Sequence, residues 1–126
     1  MVWVFWEYVT LEFSEWRDGL PKRDRAILDE KMRMIERNGQ SATCLKGPLG
    51  SFRHLYKIKA RGPTFEMRPL LCKGPVDMDA EFTMLKPMIE KDFEDVPATA
   101  KGEAERRRLE LKADKNKRVR YKVPQP

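Results

Sequence analysis

The sequence predicts a small α+β domain: a mostly antiparallel β-sheet with an N-terminal helical hairpin packed on it and a C-terminal helix. The observations are an aromatic, β-branched start, two stretches of near-helical apolar spacing after it, and short alternating stretches separated by Gly and Pro. A chain of 126 residues can bury one core. We therefore expect a single domain over residues 1–113 and a basic C-terminal tail over residues 114–126.

The N-terminal part predicts one strand and two helices. Val2 to Val9 is aromatic and β-branched, with a single charged residue, which favours a strand. Thr10 is placed to cap a short first helix. Pro21 suits the first turn of a second helix over residues 22–38, and Gly39 is a suitable stop signal.

The rest of the domain predicts three strands and a last helix, which gives the order β-α-α-β-β-β-α, with the helices expected on one side of the sheet. The predicted strands cover residues 54–61, 64–72 and 80–89, and the predicted helix covers residues 98–113. In the first of these strands, alternation places Lys57, Lys59 and Arg61 on one face. The next strand carries Arg68, and Pro69 after it suggests an edge or a bulge.

The charge balance predicts a polyanionic partner. The formal net charge is +6 and the sequence pI is about 9.4, and each cation set against a phosphate releases condensed counterions. Unopposed positive charge lies in residues 57–61 and 115–122, whereas most acidic residues are interleaved with basic ones. Nucleic acid is therefore the first candidate.

The cysteines and the N-terminus predict a cytoplasmic protein without a membrane partner. Cys44 and Cys72 show neither the spacing of metal ligands nor the density of a disulfide framework, so we expect reduced thiols and no metal or other cofactor. The N-terminal apolar run is too short to cross a bilayer and lacks the features of a signal peptide.

Three segments resemble the RelE/ParE toxin superfamily, in register from about Trp3 to Ala104. Phe13-Ser-Glu-Trp-Arg and the charged helix after it resemble the helical hairpin of RelE toxins. Leu45-Lys-Gly-Pro, Leu55-Tyr-Lys-Ile-Lys-Ala-Arg61 and Arg68 are similar to the family's Leu-Arg-Gly loop, its Tyr-Lys-Ile-Lys strand and the arginine of the next strand. Phe82-Thr-Met-Leu-Lys-Pro-Met-Ile-Glu-Lys91, followed by Pro97 and a helix, resembles phage-derived HigB-like toxins.

The sequence departs from the family pattern at two points. Glu90 stands where the HigB-like pattern has the first lysine of a Lys-Lys pair, and the late tyrosine of RelE has no clear counterpart.

The resemblance implies the toxin of a type II toxin–antitoxin system, an mRNA endoribonuclease that inhibits translation at the ribosome. The implied partners are a separate cognate antitoxin, mRNA in the ribosomal A site and ribosomal RNA. The catalytic residues that it implies, together with the charge pattern, are Lys57, Lys59, Arg61, Arg68 and Lys91.

Clustered cations suit RNA cleavage without a metal, in which the ribose 2′-OH attacks its own phosphate. Arg61 and Arg68 would hold phosphate oxygens most strongly as negative charge grows in the transition state. Crowding among cations favours the neutral form of a lysine, so Lys57 or Lys59 is a candidate base, and Lys91 a candidate acid or phosphate clamp. Which lysine has which role stays open.

Other assignments keep their alternatives. His54 is a possible catalytic residue, although a lone histidine beside an aromatic is more often a packed or capping residue. Without the resemblance, the lysines of residues 57–61 would be read as an ordinary solvated strand face. The candidate RNA-binding residues, which include members of an exposed helix and the tail, are Arg53, Arg107, Lys117, Arg118, Arg120 and Lys122.

Two other functions fit the same sequence. A RelE-fold binding module for RNA or a host protein would keep the basic face without catalysis, which Glu90 and the missing tyrosine favour. A ParE-like gyrase inhibitor is the third reading, but Lys57, Lys59 and Arg68 together fit the ribonuclease branch better.

Overall fold

The computed structural model describes residues 2–126, and over this range it contains three α-helices and two sheets. The helices are α1 (Glu12–Asp18), α2 (Lys22–Asn38) and α3 (Ala100–Ala113). The strands are β1 (Val4–Tyr8), β2 (Leu45–Lys46), β3 (Tyr56–Ile58), β4 (Ala60–Arg61), β5 (Glu66–Met67), β6 (Leu70–Lys73), β7 (Glu81–Lys86), β8 (Ile89–Lys91), β9 (Glu94–Val96) and β10 (Arg118–Tyr121). The predicted α+β class is confirmed.

The larger sheet has six strands in the order β10-β1-β7-β6-β3-β2. β1 lies parallel to β7, and every other pair in this sheet is antiparallel. The smaller sheet, β4-β5-β8-β9, is antiparallel throughout. Two of the passages between the sheets lie at Pro69 and Pro87, residues that have no N–H to donate to a ladder.

The predicted strands over 54–61 and 64–72 are therefore each divided between the two sheets. The first is broken at Lys59, whose backbone N–H donates to the carbonyl of Cys44 (2.7 Å) instead of to a neighbouring strand of the ladder. The second is broken at Arg68 and Pro69, where a proline had suggested an irregularity. Alternation along one continuous strand consequently does not hold beyond Ile58.

Helices cover both faces of the larger sheet, so the expectation that they lie on one side was wrong. One apolar layer joins the sheet to α1 and α2 through residues such as Phe5, Leu71 and Met32, and the other joins it to α3 through residues such as Leu70 and Ala104. The physical reason is visible in β6, where consecutive residues are apolar and buried, as strands covered on both faces require.

Residues 114–126, predicted as a basic tail outside the domain, include strand β10, which pairs antiparallel with β1. Tyr121 and Val123 are buried in the α1/α2 layer, and the ring of Tyr121 meets Phe13 edge-on at 5.2 Å. Burial of these two side chains and the ladder to β1 explain why the segment is ordered despite its charge.

The helix bounds follow local signals closely. The observed α2 has the predicted bounds, with Pro21 immediately before it and Gly39 after it. The first helix differs at its start: its N-cap position is Leu11, at φ 62°, rather than Thr10. Among residues 2–126, no helix combines the length and the apolar composition that crossing a bilayer requires.

Candidate functional site

Three of the predicted catalytic cations converge on one cavity where α2 faces the smaller sheet. This second-sheet cavity has a volume of about 800 Å³. Its lining residues are Ile27, Glu30, Lys31, Lys59, Arg61, Glu66, Arg68, Glu90 and Phe93. The residues come from α2, β4, β5, β8 and the connections beside them, so the cavity depends on the break at Lys59 that turns the chain into the smaller sheet.

Arg68 is the most deeply placed of these cations, with a side chain only 6% exposed. Its Nη1 donates to the carbonyl of Met67 at 2.8 Å, and its Nη2 lies 3.5 Å from Glu66 Oε2. Its buried Nε has no hydrogen-bond partner within residues 2–126. A buried guanidinium with an unused donor beside a cavity is suited to an anionic ligand, because burial makes an unmet donor costly.

Three carboxylates, those of Glu30, Glu66 and Glu90, share the cavity with the cations. Glu66 and Glu90 are direct cross-strand partners between β5 and β8, so their side chains lie on the same face. Glu66 is shared by two arginines, since Arg61 Nε lies 3.3 Å from its Oε1. These carboxylates can accept protons, which adds acid–base chemistry that the sequence analysis did not assign to this site.

An exposed aromatic side chain stands at the rim of the cavity. Phe93, in the β8–β9 turn, is 98% exposed and has a φ of 64°, which is uncommon for a residue other than glycine. A phenyl ring held in water beside cations offers a surface on which a nucleic-acid base can stack. The sequence contains no clear signal for this turn, because the flanking strands Ile89–Lys91 and Glu94–Val96 show no alternation of apolar and polar residues.

Lys57 and Lys91 do not line this cavity, contrary to the prediction. Lys57 lies opposite Leu70, and residues opposite each other share a face, so Lys57 is on the α3 side of the larger sheet. Lys91 is exposed and belongs to the cavity on the other side of the β8–β9 hairpin. The prediction for Lys57 failed because it assumed one uninterrupted strand over residues 54–61.

Arg53 and His54 lie at a different cavity, beside α3. This α3 cavity has a volume of about 440 Å³. Its lining residues are Arg53, His54, Tyr56, Cys72, Lys73, Pro75, Met78, Arg108 and Lys112. His54 is therefore not placed beside Arg68, and the two predicted groups occupy separate sites.

Two of the candidate RNA-binding residues are structural. Arg107 is buried and its Nη1 donates to Glu12 Oε1 (2.7 Å) and to the carbonyl of Leu85 (2.8 Å). Arg118 forms a salt bridge with Glu81 in which both side chains are 6% exposed, and its guanidinium lies over the Trp6 ring. The guanidinium groups of both residues are already held by protein acceptors, which gives them a role within the fold.

The remaining candidates, Lys117, Arg120 and Lys122, lie on or beside β10. Arg120 and Lys122 are exposed and Lys117 is half-buried. They remain accessible to an anionic partner along the β10 edge of the sheet.

Within residues 2–126, no three His, Cys, Asp or Glu side chains are grouped so that they could hold a metal ion. Both thiols are buried, and burial raises the pKa of Cys44 and raises that of Cys72 to about 12. No protein-family model matches the chain, and neither a curated protein nor a solved structure matches it at a significant level.

Proposed function

We propose that this chain is a toxin of the RelE/HigB kind that cleaves messenger RNA at the ribosome without a metal ion. The observation that carries the proposal is the buried Arg68, which lines the second-sheet cavity together with Lys59 and Arg61 and whose Nε has no hydrogen-bond partner within residues 2–126. Such a cluster binds a phosphodiester and gains strength as the transition state becomes more negative.

The order of the main elements also supports the proposal. The elements β1, α1, α2, β3, β6, β7 and α3 follow one another in the order β-α-α-β-β-β-α that the sequence predicts, and six further strands, β2, β4, β5, β8, β9 and β10, lie between or after them. The resemblance to the RelE/ParE superfamily supplies the proposed partners, a cognate antitoxin and the ribosome with its messenger. The proposed cytoplasmic location rests on the cysteines and the N-terminal residues.

The cavity contains a group for each step of transesterification. Glu90 or Glu66 accepts the proton of the ribose 2′-OH, whose oxygen then attacks phosphorus. Arg68 and Arg61 bind the non-bridging oxygens. As the bond from phosphorus to the 5′ oxygen breaks, Lys59 gives that oxygen a proton, which leaves a 2′,3′-cyclic phosphate and a 5′-hydroxyl.

Induction of the chain in bacteria tests this proposal. Wild type is expected to slow growth and translation and to create new messenger 5′ ends within minutes, mapped on total RNA. Arg68→Ala should relieve the growth defect and reduce cleaved ends by at least about a hundredfold, because it removes a transition-state contact of several kcal/mol. Arg106→Ala is the matched control, since Arg106 is an exposed arginine on α3 and should leave cleavage unchanged.

Cleavage by Arg68→Ala at the wild-type level, with equal amounts of folded protein, would contradict the site. Circular dichroism and a urea midpoint for each variant separate loss of chemistry from loss of fold, because Arg68 is buried and its removal also leaves a cavity.

A non-catalytic RNA-binding module is the second candidate, and one observation favours it. Glu66 lies within ion-pair distance of both Arg61 and Arg68, and Glu30 and Glu90 add negative charge to the same cavity. These carboxylates lower the net positive charge available to a phosphate. The module would bind ribosomes or RNA without new 5′ ends, so the induction experiment distinguishes the two functions.

A further inference from the structure

The α3 cavity concentrates positive charge in a way that the second-sheet cavity does not. Its lining includes Arg53, Lys73, Arg108 and Lys112, and none of its lining residues is acidic. The second-sheet cavity, by contrast, contains as many cations but also three carboxylates. The α3 cavity is therefore the more strongly electropositive of the two in its immediate lining.

Most of this charge is free to meet a ligand. Arg108 is engaged locally, since its Nε lies 2.5 Å from Glu105 Oε1. Arg53, Lys73 and Lys112 have no salt-bridge partner within residues 2–126. They approach the cavity from the loop before β3, the end of β6 and the end of α3, so that they surround it.

An apolar wall of the same cavity is held in place by hydrogen bonds. Pro75 and Met78, which belong to the loop between β6 and β7, line the cavity. Tyr56 is also a lining residue, but its side chain packs against the α1/α2 layer. The loop is fixed at its base, because the Thr83 hydroxyl donates to the carbonyl of Gly74 (2.6 Å) and the Gly74 N–H donates to the carbonyl of Glu81 (2.8 Å). Binding there would require little reorganisation.

We propose that the α3 cavity binds a nucleoside phosphate, with the phosphate against Lys73, Lys112 and Arg53 and the base against the apolar wall. A volume of about 440 Å³ lies in the range typical of small-ligand sites. An anion alone would need only the lysines and Arg53, whereas Pro75 and Met78 provide a surface for a flat, largely apolar group. The ligand is a free mononucleotide or the phosphorylated end of an RNA strand.

This site is independent of the proposed cleavage chemistry. Its lining residues lie beside α3, and none of them lines the second-sheet cavity. Failure of one proposal therefore leaves the other standing.

Titration calorimetry on the purified full chain tests the inference with AMP, adenosine and inorganic phosphate. AMP should bind measurably, adenosine should not, and phosphate should bind more weakly than AMP. The double variant Lys73→Ala/Lys112→Ala should weaken AMP binding by at least about tenfold, the loss of one charge-assisted hydrogen bond. Lys22→Ala/Arg23→Ala, two exposed cations outside this cavity, removes the same charge and should change nothing. Arg68→Ala should also bind AMP normally.

Short RNA oligonucleotides distinguish the two possible ligands, the free mononucleotide and the phosphorylated end of an RNA strand. If a 5′-phosphorylated strand binds at least tenfold more tightly than AMP and than its 5′-hydroxyl form, the ligand is an RNA end; otherwise it is the free nucleotide. If the cavity variant and the control variant weaken AMP binding equally, the effect arises from non-specific charge and the proposal is overturned. So would binding of adenosine as tightly as AMP.

Discussion

Glu90 is the residue at which this chain departs most from the family pattern, and its position gives that departure a chemical meaning. A lysine there would add a further cation to the second-sheet cavity, whereas the carboxylate lies opposite Glu66 and beside Arg68 and Lys59. An ionised carboxylate offers oxygens that can accept a proton, whereas the ammonium group of a lysine offers only donors. On this view the site replaces a lysine base with a glutamate.

Glu90→Gln is therefore expected to reduce RNA cleavage on purified ribosomes by about 10²- to 10⁴-fold, the usual contribution of a general base. The fold should be retained or slightly stabilised, because the change removes a like-charge cross-strand pair. Glu94→Gln is the control, since Glu94 is an exposed carboxylate on the adjacent strand β9. Cleavage by Glu90→Gln at the rate of Glu94→Gln would exclude Glu90 as the base.

The elements differ in how far the sequence predicts them, and the difference follows the range of the interactions involved. The bounds of α2 were predictable because Pro21 and Gly39 act locally at its ends. The smaller sheet was not, because it depends on the pairing of Met67 with Ile89, which lie far apart in sequence. The same error affects the candidate site. The sequence identified its cations by residue type, but the break at Lys59 determines which of them line one cavity.

The sequence contains a signal for strand β10, but the basic residues around it favoured the prediction of a tail. Val119, Tyr121 and Val123 recur at every second position, as in a strand, between basic residues that suggested a solvated tail. The structure buries Tyr121 and Val123 and leaves Val119 exposed at the sheet.

Tyr121→Ala should lower the free energy of unfolding by about 3 kcal/mol, because it removes a large buried ring that packs against Phe13. Val119→Ala, at an exposed position of the same strand, should change it by less than about 0.5 kcal/mol. Urea unfolding followed by tryptophan fluorescence measures both. Equal midpoints for the two variants and the wild type would mean that residues 118–121 do not pack on the domain.

At the scale of the whole molecule, an ion-pair network at one end of the larger sheet joins helices on its two faces. Lys86 of β7 lies 3.1 Å from Glu12 Oε2 of α1 and 2.7 Å from Glu103 Oε2 of α3. Arg107 of α3 reaches the same Glu12 at 2.7 Å. Because α1 and α3 pack on opposite faces, these contacts tie the two apolar layers together at the end of the inner strand β7.

The pKa shifts in this network fix how its contribution depends on pH. The hydrogen bond from Lys86 lowers the pKa of Glu103 below its ordinary value. Burial raises the pKa of Glu12, but hydrogen bonds from Arg107 and Lys86 outweigh it and lower that pKa overall. Burial lowers the pKa of Lys86, but its hydrogen bonds to Glu103 and Glu12 outweigh burial and raise that pKa overall.

These shifts determine the pH range in which the network stabilises the fold. Stabilisation by the carboxylates is present above their unfolded-state pKa of 4.5 and is lost as pH falls through the lower folded values. Stabilisation by Lys86 is present below its unfolded pKa of 10.5 and is lost as pH rises through its raised folded value.

Lys86→Met should consequently lower the free energy of unfolding by about 1 kcal/mol at neutral pH, a modest value because both carboxylates are more than a third exposed. The deficit relative to wild type should shrink as the carboxylates protonate toward about pH 3. Urea midpoints measured at several pH values give the comparison, with Lys22→Met as a matched change at an exposed lysine. A deficit that stays constant from neutral to acid pH would assign the effect of Lys86 to packing of its aliphatic stem, and the two faces of the sheet would then be joined without help from charge.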